Sequence, residues 1–558
     1  MSSRKLQLAD YSSFAHLLEN GGVFDSSAQR KELEDTIEKS TGHDIPALED
    51  EIRELKVTKT SIQATVSKFE QLLTPNAVNR LPTEILTEIF LNVRDTATGY
   101  TTTITEGLWP ITHVSRKWRN VAISMPQLWS NISIGVIETP AKNELQLLNT
   151  ALARSGSHPL HVNASFSWST SEELGFQIWE TGARSGRPSV KTLIPLWPTE
   201  EQLSRALIQT IVQHSNRWKT ASIDVLDSYY LHPIHCQLSS LEKLTYSGKL
   251  EFRSVLFSVA PKLREVEFSG TDSGMYQLPW TQLVRFHESQ IPDELPADDL
   301  VFHYVEILNQ CDQLEDFGAV CVCVDEGLGP HPSLVHNNLK TFRCSDFHLV
   351  RCLTLPSLQN LHLQPVPLDS SPLELIPSAH ELLTRSRCAS SLRVLRLTAV
   401  VLDHSIFDLL ESTEGLRELH FAFDNRDIPE INAFMKRLIT RLNTSLQFAK
   451  PGDQVFLHHL EKFTSDIEAI TGYESPTFDI QFIDETYVDM VEGRWNSSGD
   501  GVSQLRVVKF ESHVPATLSG FTDRCIQRMK EMRDEGLTAY IAASTSKDRR
   551  EIPKIYVK

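Results

Sequence analysis

Apolar residues recur at alternating steps of four and three between positions 48 and 73 of the chain. The positions are Leu48, Ile52, Leu55, Lys59, Ile62, Val66, Phe69 and Leu73, with Lys59 as the single polar break. This spacing predicts one long helix over residues 46–75, because Pro46 suits a first helical turn and Pro75 follows the last position. It is typical of a coiled coil that joins two copies of the chain, of a spacer helix, or of a helix folded back on the next domain. Residues 1–45 are polar and predict a weakly ordered N-terminus.

The segment LPTEILTEIF, which begins at Leu81, predicts a helix with more apolar surface than its own domain requires. The apolar positions are Leu81, Pro82, Ile85, Leu86, Ile89, Phe90 and Val93. At about 100° per residue they cover roughly half of the helix circumference, whereas packing on a small core needs an arc of only about 100°. The surplus predicts a second contact.

A second helical pattern, WPITHVSRKWRNVAISMPQLWSNI, follows a polar loop rich in Thr and Gly. Its apolar face, spaced by three and four, consists of Ile111, Val114, Trp118, Val121, Ala122 and Met125. Pro126 predicts the end of this helix, and Leu128 and Trp129 fall in a predicted third turn. A unit of about 50 residues has a thin core, so it is expected to lean on a neighbour or a partner.

From about residue 135 the chain repeats a Leu, an apolar residue three positions later and often another two positions after that. The units start at Leu241, Leu263, Leu283, Leu314, Leu339, Leu358, Leu392 and Leu416, at spacings of 22, 20, 31, 25, 19, 34 and 24 residues. The pattern is similar to the leucine-rich repeat, in which each unit supplies one strand to a parallel sheet and a helix or loop returns outside it. It predicts an irregular solenoid over residues 135–430, ended and capped by residues 431–558; a generic α/β domain is the alternative. Returning helices are predicted at VLFSVAPK, VEILNQCDQ and HELLTRSRCASS.

Composition narrows the possible partners. The formal net charge of -18 argues against broad binding to nucleic acid or to an anionic membrane, which select clustered Lys and Arg. No apolar run approaches the roughly 18 residues of a membrane span, and no apolar run follows the N-terminal MSSRK to suggest a secretory signal. Eight scattered cysteines predict reduced thiols and an intracellular protein, in the cytoplasm, the nucleus or both.

Chemical motifs are weak throughout the chain. Phosphate-binding loops, nucleophile elbows and zinc-protease helices are missing from the sequence, so no catalytic or cofactor-binding residue is predicted. The residues that come closest to a metal site are Cys321 and Cys323, His232, His235 and Cys236, and the adjacent His458 and His459. Each group lacks a further ligand at a suitable spacing, so no metal site is predicted either.

Taken together, LPTEILTEIF, THVSRKWRNVA and LWSNI resemble the F-box, most closely the F-box-like proteins of fungi. The resemblance spans residues 78–134 and departs from the family mildly at Ser115, where a cysteine is common. HSNRWKTASIDV and LPWTQLVRF also resemble recurring pieces of fungal F-box proteins. The expected fold class is therefore α+β/α/β: an N-terminal helix, a small three-helix F-box and an irregular leucine-rich-repeat solenoid with parallel strands and returning helices.

The resemblance implies a docking role. An F-box binds the Skp adaptor of cullin–RING ubiquitin ligases, whose catalysis lies in other subunits. By motif position, the adaptor-binding residues are Leu81, Pro82, Ile85, Leu86, Ile89 and Phe90. The F-box core residues are Val114, Trp118, Leu128 and Trp129.

The expected function is thus that of a non-catalytic substrate receptor in a Skp–cullin–F-box ligase, with the repeat domain holding an unknown target protein. The alternative is an interaction scaffold that keeps an F-box-like hairpin but works outside ubiquitin transfer. Both hypotheses predict a protein partner and no cofactor. They differ in whether a cullin is engaged through the adaptor.

Overall fold

The structure is a computed structural model of the 558-residue chain. It describes residues 27–39, 41–42, 45–73, 81–96, 99–135, 143–166, 198–227, 238–249, 254–270, 273–289, 297–320, 333–365, 372–443, 455–468, 477–497, 502–544 and 554–557. The chain forms two compact units, Met1–Glu88 and Ile89–Lys558.

Helices occupy the N-terminal part of the chain and then recur between strands. Their bounds are α1 Ser27–Lys39, α2 Ile45–Leu73, α3 Thr83–Thr96, α4 Ile111–Val114, α5 Arg116–Ile123, α6 Glu144–Arg154, α7 Pro198–Val212, α8 Ala297–Gln310, α9 Phe347–Cys352, α10 Leu375–Ser386, α11 Ser405–Ser412, α12 Ile428–Leu442, α13 Glu485–Trp495 and α14 Asp523–Asp534. Within the described ranges, none of the helices combines the length and the apolarity needed to cross a membrane.

The long helix α2 forms where the heptad spacing predicts it. Its apolar positions from Leu48 to Val66 are exposed to solvent, as is the intervening Lys59. The side chains of Phe69 and Leu73 lie outside the described residues. The helix is therefore confirmed, and its self-association stays a prediction.

The second helical pattern is not one helix, as the spacing predicted, but two. Ser115 has extended backbone angles (φ -158°, ψ 167°) between α4 and α5, and its side chain accepts a hydrogen bond from the Trp118 N–H at 3.2 Å. A serine at an N-cap satisfies one of the otherwise unpaired N–H groups of a helix start. This local bond interrupts the apolar periodicity, so Val114 ends a short helix instead of continuing a long one. A 3-10 turn, Pro126–Trp129, follows α5.

A single parallel sheet dominates the second unit. The strands of the chain are β1 Asn131–Gly135, β2 Leu160–Phe166, β3 Trp218–Asp227, β4 Lys243–Lys249, β5 Glu265–Ser269, β6 Arg285–Ser289, β7 Asp316–Val320, β8 Leu334–Val335, β9 Thr341–Cys344, β10 Leu353–Thr354, β11 Asn360–Leu363, β12 Val394–Thr398, β13 Glu418–Asp424, β14 Lys462–Glu468, β15 Phe478–Asp479, β16 Val507–Thr517, β17 Thr538–Ser544 and β18 Lys554–Val557. The sheet runs β1-β2-β3-β4-β5-β6-β7-β9-β11-β12-β13-β14-β16-β17-β18, with β15 beside β16. Every pairing along it is parallel except that of β17 with β18. A two-stranded parallel sheet pairs β8 with β10.

Each of the eight repeat units read from the sequence supplies one strand of this sheet. In the unit from Leu358, for example, Leu358, Leu361 and Leu363 are all buried, while Asn360 and His362 between them are partly open. Successive side chains of a strand point to opposite faces, so the leucine positions face the helices and the alternate positions face away. The leucine-rich-repeat architecture is confirmed by the strand pairing itself.

The sheet extends beyond the predicted units at both ends. β1 to β3 precede the first predicted unit, at Leu241. β14, β16 and β17 continue the parallel order after the last predicted unit, at Leu416. The antiparallel strand β18 then ends the sheet. A new repeat therefore starts at Leu460 and another at Leu505, both fully buried, inside residues 431–558, which were expected to form the end of the repeat domain and its cap.

Two of the three predicted returning helices form, as α8 and α10. The third prediction, for residues 255–262, is wrong, because that segment folds into turns. Ser254 at its start forms a parallel bridge with Tyr276, and its N–H donates to the carbonyl of Met275 at 2.7 Å. This bridge sets an extended backbone at the point where a helix would have to begin.

Candidate functional site

Helix α3 has one buried and one exposed apolar face. Leu86 and Phe90 are fully buried. Ile85 and Ile89 lie one turn apart on the same helix and are 47% and 36% exposed, and Pro82 just before the helix is also exposed. Residues four positions apart are neighbours on a helix surface, so these two side chains form an apolar ridge. Exposure of this ridge to water is unfavourable in free energy.

The six residues expected to face an adaptor are thus divided by the structure. Pro82, Ile85 and Ile89 are open to a partner, and Leu81 is half-buried. Leu86 and Phe90 are enclosed within the chain, so they support the helix from inside. A helix with an apolar arc of half its circumference uses part of that arc for its own core and leaves the rest exposed.

Aromatic rings form the core behind α3. Phe90 meets Trp118 edge-to-face, with ring centroids 5.1 Å apart. Trp109 and Trp129 meet in the same way at 5.0 Å, and the Trp129 indole N–H donates to the carbonyl of Ala122 at 2.8 Å. Edge-to-face pairs align the positive edge of one ring with the negative face of the other and add to the stability from burial.

Three of the four residues expected in this core lie in or beside it. Leu128 and Trp129 are buried, and Trp118 is partly buried. The expectation for Val114 is wrong, because its side chain is 56% exposed. The helix break at Ser115 rotates the end of α4 away from the face that a continuous helix would have placed inward.

Arg154 joins this aromatic core to the first strands of the sheet, a contact that the sequence did not predict. Its guanidinium carbon lies 4.4 Å from the ring centre of Trp129 and 5.1 Å from that of Trp109. Burial lowers the pKa of the Arg154 guanidinium. The ring faces supply part of the stabilisation that water gives to an exposed guanidinium.

The face of the sheet that lacks the buried leucine positions is called the open face here. Its ion pairs connect neighbouring strands: Arg285 contacts both Glu265 and Asp316 at 2.9 Å, and Lys462 contacts Glu418 at 3.1 Å. These side chains are partly exposed, so each pair contributes little stability. At β1 to β4 the open face borders a cavity of about 400 Å³, and the polar residues of its lining include Ser133, Asn163 and Thr245.

A Ser–His–Glu cluster near β6 resembles the components of a hydrolase site but is arranged differently. The Ser273 hydroxyl donates to the Glu288 carboxylate at 2.6 Å and lies 2.7 Å from Nε2 of His303. In a nucleophilic triad the carboxylate orients the histidine, whereas here both groups contact the serine. Ser273 is fully buried and its N–H also donates to Glu288 at 2.9 Å, so the cluster fixes the turn before β6.

The cysteines and histidines that came closest to a metal site in the sequence do not form one in the described part of the structure. Cys321 and Cys323, and the segment containing His232, His235 and Cys236, lie outside the described residues. His458 and His459 lie in a turn with their ring centroids 4.1 Å apart. Within the described ranges, three or more potential ligands do not come together to hold a metal ion.

Comparison with known families assigns the helical segment. The F-box-like family model matches residues 78–135. This segment is an F-box-like domain. It contains the exposed ridge of α3, the tryptophan core and β1, so the F-box-like domain runs directly into the first strand of the repeat sheet.

Comparisons along the whole chain add less. No curated protein matches the sequence. Among solved structures, an internalin from Listeria monocytogenes is similar, with 10% identity, 62% of this chain and 84% of the internalin chain covered, and a TM-score of 0.23. The family match thus covers residues 78–135, and the repeat sheet is assigned from its own strand pairing.

Proposed function

We propose that the protein is the substrate-recognition subunit of a Skp–cullin–F-box ubiquitin ligase. F-box domains generally bind Skp-type adaptors. The observation that carries the proposal is the ridge of Ile85 and Ile89 on α3 of the F-box-like domain, which stays exposed although the adjacent apolar residues Leu86 and Phe90 of the same helix are fully buried. An amphipathic helix that inserts an apolar face into a hydrophobic groove is a common recognition mode.

The proposed adaptor-binding residues are Pro82, Ile85 and Ile89, with Leu81 at their edge. Leu86 and Phe90 are not proposed to contact the adaptor, because both are fully buried, and Phe90 packs edge-to-face on Trp118. Val114, although it was expected in the core, adds a further exposed apolar side chain to the F-box-like domain. Hot-spot residues of protein interfaces are characteristically those that become fully desolvated on binding.

The open face of the repeat sheet is the proposed target-binding surface. Stacked repeats present a broad, continuous surface suited to a macromolecule. In this proposal the chain performs no catalysis. It accelerates ubiquitin transfer by holding a target close to the loaded carrier at a high effective concentration. Such a subunit works inside the cell, in the cytoplasm, the nucleus or both.

The test is affinity purification of the tagged full chain from its own cells, followed by mass spectrometry. We expect the wild type to bring down the Skp adaptor and a cullin. The double variant Pro82→Ala, Ile85→Ala should lose both and keep its targets. The control variant is Ile104→Ala, which alters a side chain that is 51% exposed outside α3 and should keep the adaptor.

The outcomes separate the two functions. Retention of the adaptor by the double variant contradicts the proposed docking residues. Adaptor without cullin in the wild-type sample favours the alternative, an interaction scaffold outside ubiquitin transfer.

The exposed heptad positions of α2, from Leu48 to Val66, are called the seam. We propose the seam as a self-association site. A spacer helix that does not self-associate is the alternative.

A further inference from the structure

Strand register places four cationic or titratable side chains side by side on the open face. Arg343 on β9 is paired in register with His362 on β11, His362 with Arg396 on β12, and Arg396 with His420 on β13. These four residues are called the Arg–His row. Neighbouring strands are about 4.8 Å apart, so Arg343 and Arg396 originate roughly 10 Å from each other.

The two histidines of the row are neutral at physiological pH. Burial, followed by the neighbouring Arg343 and Arg396, lowers the pKa of His362 to about 4. Burial, followed by Arg396 and Lys509, lowers the pKa of His420 to about 4. Their rings lie near threonine hydroxyls, with His362 Nε2 3.0 Å from Thr398 Oγ1. The fixed positive charge of the row therefore belongs to the two arginines.

Three carboxylates on neighbouring strands are already engaged by other cations. Asp316 contacts Arg285 at 2.9 Å and His287 at 2.8 Å, and Glu418 contacts Lys462 at 3.1 Å. Glu511 contacts Lys509 at 2.7 Å.

Arg343 and Arg396 differ from these paired cations. Across the residues that the structure describes, neither guanidinium forms an ion pair, and Nε of Arg343 has no hydrogen-bond partner. Arg396 is exposed and borders a cavity of about 210 Å³ that His420 and Lys462 also line. Arg396 therefore presents an unneutralised guanidinium to solvent, and the partly buried Arg343 lies two strands away from it, in a chain whose net charge is -18.

This pattern selects an anionic partner of extended shape. A guanidinium binds a carboxylate or a phosphate through two parallel hydrogen bonds, and the interaction is stronger than one between neutral groups. In an extended peptide each residue advances about 3.3 Å, so acidic side chains two to four residues apart span the distance between the two arginines. Asp466 lies 3.6 Å from His420 and limits the cationic surface on the β14 side.

We propose that the Arg–His row binds an extended anionic segment of the target protein, with Arg343 and Arg396 each holding one acidic or phosphorylated side chain. This inference rests on the proposed function, since it specifies the chemistry of the target held by the repeat sheet. The neutral His362 between the arginines and the neutral His420 beside Arg396 supply hydrogen bonds without adding charge. Carboxylate and phosphate groups share the required chemistry, and the experiment distinguishes them.

The test is fluorescence anisotropy with the purified full chain and three labelled peptides of one sequence. The first carries glutamate at positions i and i+4, which lie on one face of an extended peptide, the second phosphoserine at both, and the third glutamine at both. We expect the two anionic peptides to bind and the glutamine peptide not to bind. Tighter binding of the phosphoserine peptide identifies a phosphorylated target, and equal binding identifies a carboxylate-bearing one.

The variants Arg343→Gln and Arg396→Gln should each weaken binding of the anionic peptides about tenfold, in line with the loss of one charged hydrogen-bonded contact. Arg524→Gln on α14 is the matched control, because it removes the same charge from an exposed site off the open face and should change nothing. Far-UV circular dichroism checks that the variants are folded. Equal affinity of wild type for all three peptides, or unchanged affinity in the double variant, overturns the proposal.

Adaptor binding measured on the same samples keeps the two proposals separate. The double variant Arg343→Gln, Arg396→Gln should bind the adaptor normally. If the wild type binds no adaptor, the proposed ligase function is contradicted. The peptide measurements still test the Arg–His row independently of that result.

Discussion

Replacement of Arg494 by methionine should lower the stability of the C-terminal repeats strongly. Arg494 on α13 is fully buried and donates three hydrogen bonds to backbone carbonyls: Nε to Leu442 at 2.7 Å, Nη1 to Leu457 at 2.9 Å and Nη2 to Phe456 at 2.6 Å. The guanidinium thus ties the end of α12 to the turn before β14. Methionine fills a similar volume but donates no hydrogen bond.

The magnitude follows from two opposing effects. Burial lowers the pKa of Arg494 from its ordinary value to about 10, which corresponds to a penalty of about 3 kcal/mol for the charged form. Each hydrogen bond to a charged group contributes about 1.5–3 kcal/mol, so three of them exceed that penalty. The loss of these bonds also leaves three backbone carbonyls without the hydrogen-bond donor that Arg494 provides. We expect the free energy of unfolding to fall by about 3 kcal/mol.

The assay is urea unfolding followed by tryptophan fluorescence, because Trp495 is adjacent and its indole N–H donates to Glu535 at 3.2 Å. In a repeat protein the C-terminal units should unfold first, at a lower urea concentration than in the wild type. Arg524→Met, at an exposed position, serves as the control and should leave the transition unchanged. A methionine variant at position 494 that is as stable as the wild type would refute the reasoning, since burial of the charge would then outweigh its three hydrogen bonds.

Three further changes test other parts of the structure. Leu55→Asp should abolish any self-association through α2 in analytical ultracentrifugation, whereas Val57→Asp, exposed but off the seam, should not; equal behaviour of the two would exclude the seam. Burial raises the pKa of Asp316, but hydrogen bonds from His287 and Arg285 outweigh it and hold the pKa below its usual value, so the stability from this carboxylate is complete above about pH 4 and is lost as the pH falls further. Asp316→Asn should therefore reduce the Tm at pH 7 and flatten its acid-side decline, and an unchanged decline would contradict this. Ser115→Ala removes the cap of α5 and should cost about 1 kcal/mol in thermal unfolding, which Ser115→Asp should restore.

Short-range patterns in the sequence predicted those helices and strands in which the pattern itself decides which side chains are buried. The alternation around Leu241 and Leu358 predicted strands correctly, because burial of every second side chain on one face requires that alternation. The strands β1, β2 and β3 went unpredicted since their units lack a leucine followed by an apolar residue three positions later. β2 begins at the buried Leu160, but Asn163 stands three positions after it, and β3 begins at the buried Trp218.

Features that depend on side-chain bonds or on long-range register could not be read from the sequence. The break at Ser115 results from one hydrogen bond that overrides a regular apolar spacing. Arg494 looks like a surface residue of a polar helix, and only the positions of three distant carbonyls make it a buried one. The Arg–His row joins Arg343 to Arg396 across repeats of unequal length, so no fixed period in the sequence connects them.

The central claim is that another protein buries the exposed apolar surface of α3 in the F-box-like domain. Isothermal titration calorimetry with the purified adaptor tests this claim most directly. Full burial of an isoleucine contributes about 1.5–3 kcal/mol, and Ile85 and Ile89 still have 47% and 36% of their surface to bury. The account predicts that Ile85→Ala, Ile89→Ala weakens adaptor binding roughly tenfold or more, while Ile104→Ala binds like the wild type. Equal affinity of the double variant and the wild type, or no adaptor binding by the wild type, would contradict it.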